Sequence, residues 1–423
     1  MSTPTLGGTS AASSRDGAVA PVEAIRQHFP ALARLHRGHP VAYFDGPGGT
    51  QVPTMVTSAM VDYLLHHNAN THWHYPTSAE TDHLIASARR ALADFLNAHP
   101  DEIVFGANMT TLTLHVGRAL GRGFRAGDEV IVTELDHHAN SDTWRALAAD
   151  RALVVKTVPM DPTTGTLVWS ELERAFTPRT KLLAIGAASN ALGTITDVQR
   201  ASRLAHEHGA LAYVDAVHFA AHAPVDVAAI DCDFLACSAY KFYGPHIGVL
   251  YGKRALLEEM DAPRLDPAPT SAPDRLETGT QNHEGIVGAA AAVDFLASLT
   301  RAASRRAALT RVMSVFHERG QQQVQRLWDG LSDIAGVTLY GPPPGGARTS
   351  TVSFALRTHS SDDVARALVE DGVFVSNGDF YASTVIRRIG HEADGVVRVG
   401  CACYTTDDEI DRLIAGVHRL SRP

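Results

Sequence analysis

The feature that most constrains the fold is an alternation of short apolar runs with helical stretches, which begins at about Glu102. Each run is rich in β-branched residues and ends in small or polar ones. The runs are residues 102–105, 129–133, 153–158, 182–185, 211–214, 234–237 and 247–251. Alternation of this kind predicts an α/β fold with a mostly parallel seven-stranded sheet. Ligands of such sheets lie beyond the carboxyl ends of the strands, which is where we look for chemistry.

The last third of the chain has a different pattern, which predicts a small α+β domain. A long helix over 305–331 precedes strands over 337–340 and 351–356, and a helix follows over 361–371. Thr406 to Glu409 form a capping box, which starts the final helix. We predict a disordered tail over 1–20, a large domain over 21–300 and a small domain over 301–423, with 21–45 packing on the small domain.

Composition restricts the classes of partner. The net charge is −9 and no block of Lys and Arg occurs, so neither nucleic acid nor an anionic membrane is an expected partner. No run of eighteen apolar residues predicts a membrane span, and the first residues lack the basic start and apolar core of a secretory signal. Four cysteines in a chain of this length do not form a disulfide framework. We therefore expect a cytoplasmic protein.

A possible phosphate cup follows the first of these runs. The run ends at Gly106, and Thr110 and Thr111 come shortly afterwards, where a helix begins. A helix start presents free backbone N–H groups to an anion, and the two threonines add hydroxyl groups. Taken alone, a simple helix cap explains the same residues.

Asp215 closes the apolar run 211–214 and is predicted to lie at the ligand-facing edge of the sheet. A buried carboxylate there needs a cationic partner, and a protonated pyridine nitrogen is one. A helix N-cap is an equally good explanation from this segment alone. His137 and His138 follow another strand at the same edge, where an imidazole can stack on a flat ring or carry protons. For His138 a simple loop histidine is the preferred interpretation.

Lys241 follows the apolar run 234–237 and has aromatic neighbours on both sides. Such surroundings lower the pKa of an amine, which suits Schiff-base chemistry. Most lysines are solvated surface residues, but one placed directly after a buried strand is a candidate nucleophile. His72 and His74 could be metal ligands, yet no nearby Cys/His pair completes a set, and we predict no metal.

Together these segments resemble the class V aminotransferase group of fold-type I pyridoxal-5′-phosphate (PLP) enzymes, in particular its cysteine desulfurase-like branch. The resemblance covers about residues 43–419, and its motifs occur in the family's order. They are Met109-Thr110-Thr111, His137-His138-Ala139-Asn140, Ser189-Asn190-Ala191-Leu192-Gly193-Thr194, Asp215 with His218, Ser238-Ala239-Tyr240-Lys241, Glu277-Thr278-Gly279-Thr280-Gln281-Asn282 and Arg398. Each motif alone is weak, and their ordered combination is specific.

The resemblance implies a role for each motif residue around the cofactor ring. Lys241 carries PLP as a Schiff base and Asp215 pairs with its pyridine nitrogen. His137 stacks over the ring and His218 reaches the ring hydroxyl. Asn190 lies near both the ring and the substrate.

The resemblance also implies how phosphate and substrate are bound. The phosphate is held by a set of hydroxyl-bearing residues: Thr110, Thr111, Ser238 and Tyr240. Thr280 reaches the phosphate of the neighbouring subunit, so the enzyme is a homodimer with shared active sites. Arg398 clamps the carboxylate of an amino acid substrate in a bidentate pair. A strand arginine that faces solvent is the plain alternative for Arg398.

One feature departs from the family pattern. Cysteine desulfurases take the substrate's sulfur onto a loop cysteine, and the corresponding stretch here, residues 375–381, contains none. Cys401 and Cys403 lie past Arg398, in or just after a strand, where burial explains them. Cys232 and Cys237 lie in the core strand region. The sequence therefore predicts a PLP enzyme that works without a protein persulfide.

We expect β-elimination from cysteine or an S-substituted cysteine, because this C–S cleavage needs no protein cysteine. Desulfuration, transamination, racemisation and decarboxylation-linked oxidative deamination are alternatives that use the same cofactor. A non-catalytic binding protein and a histidine-based metal hydrolase are alternatives of other classes. The resemblance implies that residues 68–75 and 44–50 lie near the mouth of the site, where they would influence substrate choice; an ordinary polar loop is the plain alternative.

Overall fold

The computed structural model describes residues 17–422, and its centre is a seven-stranded sheet. In spatial order the strands are Ile103–Gly106, Gly248–Gly252, Phe234–Ser238, Leu211–Asp215, Thr180–Gly186, Glu129–Thr133 and Val154–Val158. Gly248–Gly252 is antiparallel to both of its neighbours, and the other six strands share one direction. The predicted mostly parallel α/β sheet is confirmed.

Helices cover both faces of this sheet because its strands are apolar on both sides. Alternate residues of one strand enter separate cores: Val214 belongs to one apolar cluster and Tyr213 to the other. The helices in this part of the chain are Val22–Arg26, Thr54–Asp62, Pro76–Leu96, Met109–Gly121, His138–Arg151, Trp169–Ala175, Val198–Glu207, Val227–Ile230, Arg254–Glu259 and His283–Ser298. Single helical turns lie at Pro30–Ala33, Tyr63–His67, Pro100–Glu102, Phe219–Ala221, Ala239–Lys241 and Asp274–Leu276.

The C-terminal part contains an antiparallel sheet of four strands, as predicted for an α+β unit. Its spatial order is Val337–Tyr340, Thr351–Leu356, Val396–Gly400 and Ser376–Gly378. Its helices are Arg305–Ser332, Ser361–Glu370, Ser383–Arg388 and Asp407–Leu420. Ala42–Tyr43 pairs with Val373–Phe374, and Phe44 is buried in the core of this unit. The chain segment before residue 45 therefore contacts the C-terminal unit; the domain boundary near residue 300 stays a prediction.

Two short pairings complete the described strands: Leu35–His36 with His39–Pro40, and Met160–Asp161 with Thr166–Leu167. The capping box of the last helix is confirmed, since Thr406 Oγ1 accepts from the Glu409 N–H and Glu409 accepts from the Thr406 N–H. Of the predicted disordered tail, residues 1–16 lie outside the described residues. Ala20 N–H, at its end, donates to Leu299 O over 2.8 Å. Within residues 17–422, no helix combines the length and apolarity that a membrane span requires.

Candidate active site

Asp215 and Lys241 meet at the carboxyl edge of the large sheet. Asp215 is the last residue of its strand and pairs in register with Ala236 of the adjacent strand. That adjacent strand ends at Ser238, and a single helical turn, Ala239–Lys241, carries the lysine over the same edge. The topology therefore brings together two residues that lie 26 positions apart in the sequence.

Lys241 lies in a mostly buried environment. Its Nζ donates to the backbone oxygens of Pro47 and Gly48, the latter at 2.9 Å, and lies 4.8 Å from the centre of the Tyr240 ring. Burial and, after it, the positive charge of Arg398 lower the pKa of this amine to about 8. A substantial neutral fraction at physiological pH makes Lys241 a competent nucleophile.

The chain has only four lysines, and the other three are placed elsewhere. Lys156 Nζ contacts Glu129 at 2.8 Å. Lys253 Nζ contacts Asp231 at 2.8 Å at the amino edge of the sheet. Lys181 lies near the start of its strand, at that same edge. Lys241 is therefore the single lysine at the carboxyl edge.

Asp215 is buried, and its carboxylate has few hydrogen-bond donors around it. It is 7% exposed, and among the described residues its carboxylate accepts one hydrogen bond, from Val217 N–H at 2.9 Å. Burial raises the pKa of this carboxyl to about 6. A buried carboxylate with one donor and no cation in direct contact is a group that needs a positive partner.

Asp136 is a second buried carboxyl at this edge and is not among the site residues predicted from sequence. It accepts from Gly186 N–H at 2.6 Å and lies within 3.5 Å of Asn140 Nδ2. Burial, together with the nearby charge of Asp215, raises the pKa of Asp136 to about 7. A signal for Asp136 is present in the sequence, because it stands three residues after the apolar run 129–133, much as Asp215 directly follows the run 211–214.

The buried Asp136 predicts a specific pH dependence of stability. Between pH 5 and 7 the folded state keeps a proton on Asp136 that the unfolded state has lost, so this group makes the protein less stable as pH rises. We expect the free energy of unfolding of Asp136→Asn, relative to that of wild type, to be about 2 kcal/mol higher at pH 8 than at pH 5. Urea unfolding of both PLP-free proteins at the two pH values measures this. A hydrogen bond that the amide cannot make is lost at both pH values, so it does not affect the change between them. The same difference in free energy of unfolding at pH 5 and at pH 8 would contradict the prediction.

The predicted phosphate cup is a capped helix start. Asn108 Oδ1 accepts from Thr111 N–H at 2.9 Å, and Ser238 Oγ accepts from Met109 N–H at 3.1 Å. The backbone of Asn108 packs closely against Gly248 of the neighbouring strand. Only glycine permits this contact, because a Cβ at position 248 would lie 2.5 Å from the Asn108 backbone. The helix cap is thus present, and phosphate binding by Thr110, Thr111, Ser238 and Tyr240 stays a prediction. The Tyr240 ring stacks on His246, with ring centres 4.8 Å apart.

Arg398 lies in the interior, and the solvent-facing alternative is wrong. Only 3% of the residue is exposed, its guanidinium donates to Asn190 O at 3.1 Å, and Asp45 Oδ1 lies 3.4 Å away. Burial lowers the pKa of Arg398 to about 10, so it remains charged at neutral pH. Asn190 Nδ2 donates to Phe380 O at 2.9 Å, whereas its buried Oδ1 has no partner among the described residues.

His137 lies beside this group as a neutral imidazole. Its Nδ1 accepts from Ala139 N–H at 3.0 Å. Burial lowers the pKa of His137 to about 4, with Lys241 adding to the effect. His138 contacts Asp142 at 2.6 Å and is the first residue of a helix, so the interpretation as a loop histidine is wrong about its place in the fold.

His218 and Thr280 are placed differently from the rest. His218 Nε2 hydrogen-bonds the hydroxyls of Thr349 and Thr351, at 3.0 and 3.1 Å, so only its other ring nitrogen is free for a cofactor hydroxyl. Thr280 lines a surface cavity of about 780 Å³ together with Trp73, and none of the residues around Lys241 lines that cavity. Both assigned roles stay predictions. His72, at the same cavity, contacts Asp82 at 3.2 Å.

All four cysteines are buried free thiols. Burial raises the pKa of each thiol above its ordinary value; the four are Cys232, Cys237, Cys401 and Cys403. Reactive cysteines are exposed thiolates with lowered pKa values, and these residues have neither property.

The residues at this edge fit PLP. A mostly buried lysine with a lowered pKa suits the aldehyde, and a buried carboxylate without a cation suits the pyridinium nitrogen. The helix that begins at Met109 has its N-terminus at this edge; Ser238 and Asn108 accept from its Met109 and Thr111 N–H groups, which leaves the Thr110 N–H for a phosphate. The unpartnered Asn190 Oδ1 is a further polar atom available to a bound molecule.

The comparisons with known proteins agree with this geometry. The family model for class V aminotransferases matches residues 42–413. A cysteine desulfurase of Escherichia coli is 33% identical over 417 residues, which cover 95% of this chain and 98% of that protein.

Solved structures give the same result. An apo cysteine desulfurase of Thermococcus onnurineus superposes with a TM-score of 0.86 at 28% identity, covering 96% of this chain and 99% of that one. The cysteine desulfurase CsdA of Escherichia coli gives a TM-score of 0.83 at 28% identity, over 95% and 98% of the two chains. The family's cofactor is PLP, and the site described above fits it. The chain therefore belongs to the class V aminotransferases and is a PLP-dependent enzyme of fold type I.

Proposed function

We propose that this enzyme cleaves the C–S bond of cysteine or an S-substituted cysteine by β-elimination, without a protein persulfide. The observation that carries the proposal is the absence of an accessible thiol: all four cysteines are buried, and residues 375–381 contain none. The relatives named above are cysteine desulfurases, which supports a substrate of the cysteine class. A mechanism that releases sulfur directly on the leaving group requires no acceptor on the protein.

Each site residue has a part in this proposal. Lys241 holds the cofactor and then, as the free amine, takes the proton from the substrate α-carbon. PLP supplies an electron sink for the charge left on that carbon. Asp215 keeps the ring nitrogen protonated, and His137 packs on the ring. Arg398 binds the substrate carboxylate, and the burial of its charged guanidinium supports this role.

The remaining residues complete the cofactor site. Thr110, Thr111, Ser238 and Tyr240 bind the phosphate, and His218 reaches the ring hydroxyl.

The reaction balances with one water: the S-substituted cysteine gives the free thiol, pyruvate and ammonium. The electron pair of the broken C–S bond leaves with sulfur, and the released product is an enamine. Water hydrolyses the imine tautomer of this enamine to pyruvate and ammonium.

We also propose a homodimer in which Thr280 binds the phosphate of the neighbouring subunit. Thr280 lies apart from the site of its own chain, at a surface cavity. Large exposed apolar side chains lie in and near that region, among them Leu65 at 71%, Trp73 at 60% and Leu265 at 70% exposure. Such a concentration of exposed apolar side chains is typical of an interface.

The four unpaired thiols are consistent with a cytoplasmic enzyme.

Product analysis tests the reaction. The PLP-loaded enzyme is treated with iodoacetamide, freed of excess reagent, and incubated with L-cysteine and several S-substituted cysteines. We expect pyruvate and the free thiol by mass spectrometry, at rates within about twofold of untreated enzyme, because buried thiols react poorly. Alanine as the product, together with inactivation by alkylation, would establish desulfuration through a cysteine and overturn the proposal. A transaminated or decarboxylated product would overturn it as well.

A further inference from the structure

The segment Asp379 to Tyr381 adopts an unusual backbone conformation beside the site. Phe380 and Tyr381 have φ angles of +58° and +54°, in the left-handed region. Two successive residues with side chains are rarely found there, because the Cβ crowds the backbone. Strain of this kind persists only where the surrounding structure fixes it, and it concentrates at functional sites.

Three hydrogen bonds fix this conformation. Asn190 Nδ2 donates to Phe380 O at 2.9 Å, and His138 N–H donates to Tyr381 O at 2.7 Å. Tyr381 N–H in turn donates to Asp379 Oδ1 at 3.1 Å. The donor Asn190 lies in a turn that follows one strand of the large sheet, and the donor His138 is the first residue of the helix His138–Arg151. The two rings are therefore presented from a fixed frame.

The two rings face different partners. The Phe380 ring lies against the Arg398 guanidinium, 4.0 Å from its centre, and so contacts the group that binds the substrate carboxylate. The Tyr381 ring lies 5.7 Å from His137, tilted by 31°, yet 75% of Tyr381 is exposed. Lys241, Arg398 and His137 are mostly buried, so Tyr381 places an exposed aromatic ring directly beside a buried group of the site.

We infer that Tyr381 is a specificity residue that binds the substituent on the substrate's sulfur, and that the preferred substrates are S-conjugates with a flat, aromatic or heteroaromatic substituent. This inference rests on the proposed function. With the carboxylate on Arg398 and the α-carbon at Lys241, a substituent too large for the interior extends toward the exposed ring. A flat group stacks on that ring, whereas the hydrogen of free cysteine or a methyl group gains little there.

The test compares S-benzyl-L-cysteine with S-methyl-L-cysteine on the PLP-loaded enzyme. Tyr381→Asn removes the ring and keeps a residue that tolerates the left-handed conformation, and Tyr381→Phe retains the ring. We expect the ratio of kcat/KM for the benzyl over the methyl substrate to fall about fivefold to tenfold in Y381N and to stay within about twofold in Y381F. An unchanged ratio in Y381N overturns the inference. If Y381N does not fold, Tyr381→Gly, which lacks the ring and adopts the left-handed conformation without steric cost, decides in the same way.

Calorimetric binding of the two ligands separates this inference from the proposed function. If wild type binds the benzyl ligand more tightly, Y381N loses that preference and no thiol is released, then the specificity inference stands and the elimination reaction is wrong. If thiol and pyruvate form from both substrates with the same ratio in every variant, the reaction stands and the role of Tyr381 is wrong.

Discussion

Replacing Lys241 by alanine is expected to remove the covalent attachment of the cofactor and to lower the elimination rate by about 10³-fold or more. The lysine both holds PLP and accepts the α-proton in our proposal, and no other lysine lies at this edge of the sheet. Borohydride reduction followed by peptide mapping locates the attachment, because only four lysines need to be distinguished. The visible absorption band of the bound cofactor and the rate of pyruvate formation complete the measurement.

Lys253→Ala is the matched control. Lys253 pairs with Asp231 and Asp233, at 2.8 and 3.2 Å, on the far edge of the same sheet, so its loss should leave the rate within about twofold. Attachment of PLP to Lys156, Lys181 or Lys253 in the wild type would contradict the assignment. Full activity of Lys241→Ala would contradict it too.

The strands of the large sheet could be predicted closely from sequence because each is a short apolar run that is buried on both faces. Glu129–Thr133 has the predicted bounds, and Leu211–Asp215 extends the predicted run by one residue. The short strand Ser376–Gly378 was not predicted, since its three residues are small or polar and only pairing with Val396–Gly400 makes it a strand. Local pattern cannot report a pairing between distant segments.

The same distinction holds for the site. Lys241 and Asp215 follow apolar strands, so the rule for parallel sheets was enough to place them together. Contacts that depend on the second unit were not predictable, such as the Asp45–Arg398 pair and the stacking of Phe380 on that arginine. Asp136 was predictable but was not predicted. Its position shortly after an apolar run is as informative as that of Asp215.

The lack of a loop cysteine and the structure of residues 375–381 belong together. A residue that accepts sulfur as a persulfide must reach the substrate and then present its cargo elsewhere, which requires an exposed thiol. Here the segment is hydrogen-bonded to Asn190 and His138 and carries aromatic rings against Arg398 and His137. A fixed aromatic segment suits recognition of a leaving group better than transfer of sulfur to the protein.

Asp215→Asn is expected to keep the fold and the attachment of PLP to Lys241 but to lower the elimination rate by about 10²- to 10⁴-fold. The amide has the same shape and can still accept from Val217 N–H, yet it cannot balance a positive charge on the ring nitrogen. Removing one partner of a buried ion pair costs about 3–5 kcal/mol, which corresponds to this factor when the pair acts in the transition state.

Asp233→Asn is the control for loss of a buried aspartate. Asp233 is 5% exposed and accepts from Ala212 N–H at 2.7 Å, but it precedes its strand and lies at the amino edge, away from Lys241. We expect this variant to lose thermal stability while its rate per folded, PLP-loaded molecule stays within about twofold of wild type. Equal losses of rate in D215N and D233N would show that Asp215 acts through the fold alone. A loss confined to D215N, with the cofactor still attached, would show that the carboxylate acts on the ring, because only then does the charge rather than the packing determine the rate.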